Sequence, residues 1–357
     1  MERIGRMRKI DIDSVESGSK LARTVYNSTG QTLLSQGTIL TTKFLERLKG
    51  LGYTSLYVDD GFIDDVSIDD LVQQETRNQA VSCVREVTET VKLGKTLQTA
   101  KVKKVISDIV DELISNGNLM LNLSDIRSFD DYTFCHSVNV AVISVTIGMS
   151  LYFPRHKLLD LGLGVLLHDI GKIQIAPEIL NKPGKLTEGE FNLVKMHTWN
   201  GFNLLRSDPE IKITSAHVAL QHHERIDGTG YPRQLKGTNI HEYARISAIA
   251  DVFDALTHDR VYRAKMPVHE VYQYFVEQTY SQFDNHFLDN FIQKIAKYPQ
   301  GTKVVLSDGR SGFVVKQNNV PERPLVRLFW IHGKELAKPV EVNLLYETQL
   351  SIAEVLE

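Results

Sequence analysis

The sequence is dominated by one long region whose apolar residues recur at helical spacing. From Tyr132 to Tyr298 the pattern is almost wholly helical, and prolines and glycines divide it into separate helices. Its most apolar part, Val138 to Phe153, contains polar interruptions and is too short to span a bilayer, so we expect a buried core helix. A region of this size makes one ordinary domain, and the chain of 357 residues has room for two or three.

A second, smaller module is expected before this region, within residues 1–70. Two strand patterns, Leu21–Tyr26 and Gln31–Leu34, are followed by a helical pattern over Thr41–Leu51. This mixture predicts a small N-terminal α/β module. Its role is open: it could sense a signal, dimerise or brace the rest of the chain.

The remaining segments complete a fold that is mainly α. Residues 71–128 predict a helical linker, because apolar positions between Thr99 and Ile114 repeat at three- and four-residue steps, a face that suits either packing within the chain or a homodimer seam. Residues 129–299 predict the helical bundle, and residues 300–357 a small C-terminal β extension. The strands expected there are Lys303–Leu306, Gly312–Lys316, Leu325–Trp330 and Val340–Leu345.

Charge and cysteine content exclude several classes of function. The chain has 41 Lys and Arg against 44 Asp and Glu, a net charge of −3, so no overall field attracts a nucleic-acid polymer or an anionic membrane. Cys83 and Cys135 lie far apart and form no CxxC motif, which fits a protein of the reducing cytoplasm. An anionic ligand would have to be bound by a local site.

Histidines and carboxylates in the helical region recur at long, similar intervals. Counted from the first member of each pair, the separations are 32, 29, 25 and 29 residues. Each interval has the length of one helical hairpin, and antiparallel helices joined in this way can bring one residue from each onto a common centre. Imidazole and carboxylate donors suit iron, manganese or zinc. The residues concerned are His136, His168, Asp169, His197, His222, His223 and Asp251.

Each of these residues also has an ordinary explanation, and spacing alone leaves both open. Asp169 follows the apolar segment Leu158–Leu167, where an unpaired carboxylate is costly to bury without a cation, but a pair with Lys172 would also satisfy it. Isolated histidines are more often surface or hydrogen-bonded residues than ligands. Seven are therefore left without a functional role: His156, His217, His241, His258, His269, His286 and His332.

Three longer motifs carry a resemblance to a known family. They are His168-Asp169-Ile170-Gly171-Lys172, His222-His223-Glu224-Arg225-Ile226-Asp227-Gly228-Thr229-Gly230-Tyr231-Pro232 and Asp251-Val252-Phe253-Asp254-Ala255-Leu256-Thr257. In length, order and spacing they resemble the signatures of the HD-GYP family, a branch of the HD metal-dependent phosphohydrolases. The match runs from about Asp130 to Lys297, close to half of the chain. It implies an all-helical HD-type bundle with a bi- or trinuclear metal centre that hydrolyses cyclic di-GMP to pGpG or GMP.

The resemblance also implies that the seven donors above are metal ligands, with Asp169 bridging two ions. In trinuclear members a glutamate four residues before the first histidine holds a third ion, and this chain has Tyr132 there. Asp130 and Asp131 lie nearby, but a shift of one residue turns a helical side chain by about 100°. We therefore expect two divalent ions, and the resemblance favours iron or manganese over zinc.

Four residues are expected to bind substrate. Lys172 could reach a phosphate oxygen and offset charge in the transition state, or form a salt bridge to a ligand carboxylate. Tyr231 lies in Asp227–Pro232, which resembles the DGxGYP loop of the family, although the residues alone would predict an ordinary turn. Arg260 and Arg263 can share a helix face and suit a phosphate or guanine edge, or form a solvated basic surface.

The implied function is a phosphodiesterase that lowers the level of the second messenger cyclic di-GMP. In this hypothesis a metal-bridging hydroxide attacks phosphorus, and Asp169 and Lys172 are the catalytic side chains. Two alternatives stay open. The protein could bind a cyclic dinucleotide without hydrolysing it, as degenerate members that have lost ligands do, although this chain keeps all seven donors. It could also hydrolyse another cyclic dinucleotide or a nucleotide.

Overall fold

Helices dominate the middle of the chain, and strands dominate its two ends. The computed structural model describes residues 8–27, 31–59, 71–117, 132–258, 265–278 and 282–356. Cα packing divides the chain into two units. The first contains the described residues of 8–59 and 293–356, and the second those of 71–117 and 133–292. The predicted fold class, mainly α with a small N-terminal α/β module and a small C-terminal β extension, is confirmed.

The N-terminal part of the first unit is a small sheet with one helix. Its elements are β1 (Arg8–Asp11), β2 (Lys20–Leu21), β3 (Val25–Tyr26), β4 (Thr32–Leu34), α1 (Thr42–Gly50) and β5 (Ser55–Asp59). Strand β5 lies between β1 and β2 and is antiparallel to both, while β3 pairs with β4. The Thr41 hydroxyl caps α1, and Leu45 and Leu48 of that helix pack in the core beside Leu21 and Leu56. The one strand predicted over Leu21–Tyr26 is divided between β2 and β3.

The C-terminal part of the first unit is an antiparallel sheet. Its strands are β6 (Lys303–Leu306), β7 (Arg310–Lys316), β8 (Leu325–Ile331), β9 (Lys334–Asn343) and β10 (Ile352–Leu356). They lie in the order β10-β6-β7-β8-β9, and Val304, Val314 and Val326 fill one face of the sheet. Strand β10 was not predicted from the sequence. It lies at an edge of the sheet and much of it is exposed, which weakens the alternating apolar pattern.

The second unit is wholly helical apart from its loops. Its helices are α2 (Gln74–Lys92), α3 (Thr99–Asn116), α4 (Tyr132–Ser150), α5 (Arg155–Leu166), α6 (Pro177–Leu180), α7 (Glu188–Lys195), α8 (His197–Arg206), α9 (Ile213–Gln221), α10 (Glu242–Thr257), α11 (Val268–Glu277) and α12 (Asn285–Ile292). Helix α2 lies within residues 71–128, the predicted helical linker, although no apolar pattern gave its bounds. Residue 70, the predicted end of the N-terminal module, lies outside the described residues.

Helix α4 is the apolar core helix expected from the sequence. It begins at Tyr132, ahead of Val138, and Thr133–Ser150 has a mean hydropathy of 1.3, so it is long and apolar enough to cross a membrane. The predicted stretch Val138–Phe153 is shorter than the apolar window Thr133–Ser150. Of this segment 72% is buried inside the protein, which is the burial of a core helix.

Helices α2 and α3 pack with the rest of the helical unit. Val102, Ile106 and Ile109 of α3 are almost fully buried, and α3 packs against α2 and α5. The close approach to α5 is possible because Gly162 leaves room: a Cβ atom there would lie 3.0 Å from the Ile106 side chain. The apolar face of α3 is thus covered within the chain.

Candidate metal centre

The first cluster of donor side chains joins three separate parts of the helical unit. It consists of His136 on α4, His168 in the turn after α5 and Asp251 on α10. Donor atoms of the three lie within 4.8 Å of one another, and His136 Nε2 is 3.2 Å from Asp251 Oδ1. Donors this close have the composition and spacing to share one ion.

The second cluster consists of three imidazoles. His197 is the first residue of α8, and His222 and His223 follow directly after α9. Their donor atoms also lie within 4.8 Å of one another, and Nε2 of His197 is 3.3 Å from Nε2 of His222. Imidazole nitrogens that face one small space suit first-row divalent metals.

Asp169 lies between the two clusters and offers one oxygen to each. Its Oδ2 is 3.4 Å from His168 Nε2 and 4.0 Å from His136 Nε2, both in the first cluster. Its Oδ1 is 3.5 Å from His197 Nε2 and 3.8 Å from His222 Nε2, both in the second. Oδ1 is buried and has no hydrogen-bond partner among the described residues. Because an unsatisfied buried carboxylate oxygen is costly, these residues fit bound cations.

The position of Asp169 depends on a close backbone contact made by Gly171. A Cβ atom on Gly171 would lie 2.0 Å from the backbone oxygen of His197, so a larger residue would push the two segments apart. Without a side chain there, the turn that carries Asp169 rests directly on the start of α8. The spacing in the His168–Lys172 motif therefore brings Asp169 to the second cluster.

Three of the imidazoles are oriented by the helical backbone. Nδ1 of His168, His197 and His222 lies 2.7, 2.6 and 3.0 Å from the carbonyl oxygen three residues earlier in the chain. A proton on Nδ1 donates to that carbonyl and leaves Nε2 free to bind a metal. The helix ends thus set the direction of these rings.

His136 is oriented by a side chain instead. Its Nδ1 lies 2.7 Å from Asp254 Oδ2, and the fully buried Asp254 also accepts a 2.6 Å hydrogen bond from Asn139. Sequence analysis assigned no role to Asp254 or Asn139. A signal was present: each lies three residues after a predicted ligand, Asp251 or His136, which puts it on a neighbouring part of the same helix surface.

The electrostatics of the centre favour bound positive charge. Burial raises the pKa of Asp169, but Lys172 and the surrounding imidazoles outweigh it and hold that pKa well below its usual value. Burial lowers the pKa of His223 to about 3, so this imidazole is a neutral donor near pH 7. Burial also lowers the pKa of His136, but hydrogen bonds with Asp251 and Asp254 raise it to about 9, because positive charge is stabilised there.

Lys172 contacts the central carboxylate. Its Nζ lies 2.6 Å from Asp169 Oδ2, so the salt bridge considered from the sequence is present. The ammonium group is partly exposed, whereas Asp169 is buried. Lys172 therefore lies between the two clusters and solvent.

The loop that follows the second cluster covers it on one side. The Tyr231 ring is 4.7 Å from the His223 ring and is tilted against it. Gly230 lets the loop fold back, since a Cβ atom there would lie 2.5 Å from the backbone oxygen of His223. The buried Glu224 accepts backbone hydrogen bonds from Arg233 and Leu235, at 2.7 and 3.0 Å, and so fixes the far end of the loop. Sequence analysis assigned Glu224 no role.

A cleft of about 710 Å³ opens beside the second cluster. It is lined by Asp251, His223 and Tyr231, by Trp199 and by residues of α7. The α7 wall includes the half-exposed ring of Phe191, with Lys195 Nζ 4.6 Å from its centre. No motif marks this wall, so it could not be found from the sequence. The remaining predicted substrate residues, Arg260 and Arg263, lie outside the described residues, as do Asp130 and Asp131.

The fold and these clusters define a helical-bundle protein built to bind divalent metal. The HD domain family model matches residues 104–287, slightly more than half of the chain. The chain therefore belongs to the HD domain family, and the resemblance to its HD-GYP branch is confirmed.

Curated relatives cover different shares of the chain. The cyclic di-GMP phosphodiesterase PA4108 of Pseudomonas aeruginosa is 34% identical over 278 residues, which are 76% of this chain and 67% of that protein. The 3'3'-cGAMP-specific phosphodiesterase 1 of Vibrio cholerae is 37% identical over 192 residues, which are 54% of this chain and 44% of that protein. The chain thus spans about two thirds of the first and less than half of the second.

A solved structure with a similar fold is Bd1817, an HDG"Y"P protein from Bdellovibrio bacteriovorus. The TM-score is 0.52, and the similarity covers 80% of this chain and 98% of that one. Sequence identity is 19%, so the likeness concerns the fold.

Proposed function

We propose that the protein is a metal-dependent phosphodiesterase that hydrolyses cyclic di-GMP to pGpG, GMP or both. The observation that carries the proposal is the position of Asp169, whose two carboxylate oxygens face two different donor clusters. Such an arrangement suits a pair of divalent ions and phosphoryl chemistry. The similarity to a cyclic di-GMP phosphodiesterase over 76% of the chain supports the choice of substrate.

The ligands would divide between two ions, for which iron or manganese is favoured. One ion would take the first cluster with Asp169 Oδ2, and the other would take the second cluster with Asp169 Oδ1. Two bound divalent ions would supply an activated water and neutralise charge on the phosphoryl oxygens. The proposed ligands are His136, His168, Asp169, His197, His222, His223 and Asp251.

Side chains of the protein would hold the substrate beside these ions. Lys172 would donate a hydrogen bond to a nonbridging phosphate oxygen and stabilise the charge that grows there. Burial raises the pKa of Tyr231, so its hydroxyl stays protonated and can donate to the substrate. Arg260 and Arg263 would bind a phosphate or a guanine edge, a role that follows from the family resemblance.

The test is hydrolysis of a panel of cyclic dinucleotides by the purified chain. The protein is supplied with Fe²⁺ or Mn²⁺ under reducing conditions, and products are separated by chromatography. We expect conversion of cyclic di-GMP to pGpG or GMP, and no conversion after the metal is removed by a chelator. Binding of intact cyclic di-GMP without hydrolysis would contradict the enzyme and indicate a receptor.

A second candidate substrate is 3'3'-cGAMP. It is favoured by the 37% identity with a phosphodiesterase specific for that dinucleotide. Both substrates have the same phosphodiester linkage and differ in one base, so the proposed metal centre would serve either. If kcat/KM for 3'3'-cGAMP exceeded that for cyclic di-GMP in the same panel, the second candidate would replace the first.

A further inference from the structure

A buried chain of hydrogen bonds connects α2 with the first cluster. Arg77 Nη1 donates to Asn139 Oδ1 over 2.9 Å, and Asn139 Nδ2 donates to Asp254 Oδ1 over 2.6 Å. Asp254 Oδ2 lies 2.7 Å from His136 Nδ1. The exposed fractions of Arg77, Asn139, Asp254 and His136 are 8%, 2%, 0% and 3%. Because water has so little access, these polar groups must find their hydrogen-bond partners within the protein.

The donors and acceptors of these groups fix the direction of every hydrogen bond from Arg77 to His136. A guanidinium only donates, so it holds the oxygen of the Asn139 amide towards Arg77 and the NH₂ group towards Asp254. The carboxylate of Asp254 then accepts from both sides, and His136 must carry its proton on Nδ1. Nε2 of His136 then faces Asp251 and Asp169 and is the atom available to a metal ion.

Arg77 also brings positive charge close to the buried carboxylate of Asp254. A carboxylate as buried as that of Asp254 is costly to keep ionised unless positive charge or hydrogen-bond donors are close. The guanidinium is separated from it by one amide group, and its Nε donates to the backbone oxygen of Val72 over 3.4 Å. That second bond anchors the Arg77 side chain to the backbone just ahead of α2. His258 adds a further contact to Asp254, with Nδ1 3.3 Å from Oδ1.

We propose that Arg77 is a positioning residue of the metal centre, acting through Asn139 and Asp254 to keep His136 in the tautomer and orientation that bind metal. This inference rests on the metal centre proposed above. Arg77 lies outside residues 104–287, which match the HD domain family model. Helix α2 is therefore part of the support of the centre, although the matched domain does not include it.

The test measures metal binding by the full chain rather than activity. Mn²⁺ is titrated calorimetrically into metal-free wild-type protein and into Arg77→Met, which keeps the side-chain length but removes charge and donors. We expect about 10-fold weaker binding at one of two sites, the size found when a group that orients a metal ligand is removed. Absence of Mn²⁺ binding in the wild type would overturn the metal centre itself, and so is distinguishable from failure of this inference.

A matched control lies next to Arg77 on the same helix. The hydroxyl of Thr76 donates to Glu112 of α3, so Thr76→Val removes a contact of α2 without touching the chain to His136. This control should lower the free energy of unfolding and leave Mn²⁺ affinity unchanged. Arg77→Lys keeps the charge and one donor and should recover most of the affinity. Equal affinities in Arg77→Met and Thr76→Val would overturn the proposal.

A double mutant tests whether Arg77 acts through Asp254. Asp254→Asn alone should weaken Mn²⁺ binding by about 10- to 100-fold. Adding Arg77→Met to Asp254→Asn should weaken Mn²⁺ binding by less than the two separate effects combined. The reason is that Asp254→Asn already interrupts the hydrogen bonds between Arg77 and His136. Should Arg77→Met fail to fold, Asn139→Ser breaks the chain at the next link and takes its place. Additive effects would overturn the proposed route.

Discussion

The first and second clusters both face Asp169 but differ in the support of one imidazole. His136 of the first is held by a side chain, whereas its neighbour His168 is held by a backbone carbonyl, as imidazoles of the second cluster are. In the second cluster, His197 and His222 are directed by backbone carbonyls of their own helical turns, at 2.6 and 3.0 Å. In the first, His136 depends on the carboxylate of Asp254, which is itself held by side chains from other turns and helices. A ring fixed by its own backbone needs only the local helix, whereas one fixed by side chains needs the packing of several helices.

The clusters also differ in charge. The first contains the carboxylate of Asp251 and lies against that of Asp254, while the second consists of imidazoles alone. Consistent with this, the pKa of His136 is raised to about 9 and that of His223 is lowered to about 3. Asp169 joins an anionic half of the centre to a neutral half. The two halves should therefore respond differently to substitution.

The largest effect is expected from Asp169→Ala, which removes what the clusters have in common. Both ions should be lost together, and activity should fall to that of the metal-free protein, because the variant leaves neither cluster with the shared carboxylate. Metal content by mass spectrometry and phosphodiesterase assays measure the two effects. Asp108→Ala, at an exposed ion pair on α3, is the control and should change neither. Full metal content in Asp169→Ala would refute its bridging role.

The next effect is a difference in the free energy of unfolding between variants of the two clusters. His136→Ala leaves the buried Asp254 without one partner and should lower the free energy of unfolding of the metal-free protein by about 1–3 kcal/mol more than His197→Ala. His197→Ala exposes a backbone carbonyl rather than a charge. Urea titrations of both variants, with metal analysis, measure the difference. Equal losses of stability would mean that the contrast between side-chain and backbone support has no energetic consequence.

A further effect is expected at Lys172, whose Nζ contacts Asp169 Oδ2, the oxygen that faces the first cluster. Lys172→Met should lower kcat by about 100-fold, the size found when one donor to a developing negative charge is removed. Both ions should remain bound, since Lys172 is not a metal ligand in the proposal. Lys212→Met, at an exposed pair with Asp160, is the control. Loss of metal with unchanged kcat per bound metal would show that Lys172 serves only to hold Asp169.

The same contrast decides how much could be predicted from the sequence. The seven donors were selected by their spacing along the chain, and their interpretation as metal ligands came from the family resemblance. The support of His136 could not be found in this way, since it depends on which faces of α2, α4 and α10 meet. The bounds of helix α2, within the predicted helical linker, were not found because its buried side includes Thr76 and Arg77, which interrupt the apolar periodicity. Contacts made by polar residues across helices leave no regular pattern in one sequence.

The smallest effect concerns α7, the short helix that precedes His197 of the second cluster. Helix α7 ends next to His197, and its first turn is closed by a capping box in which Thr187 and Glu190 bond each other's backbone. Hydrogen bonds from Lys182 and Thr187 lower the pKa of Glu190 to about 2 from 4.5. A lowered pKa means that Glu190 contributes stability above about pH 4.5 and loses it as the pH falls towards 2.

Glu190→Gln should therefore be less stable than the wild type near neutral pH, and the difference should shrink as the pH falls from about 4.5 towards 2. Urea titrations of metal-free protein measure this, and Glu188→Gln, which removes a charge from the same turn but no capping-box bond, should show a smaller difference. A gap between Glu190→Gln and wild type that stayed constant down to pH 2 would mean that the capping carboxylate does not stabilise the helix before His197.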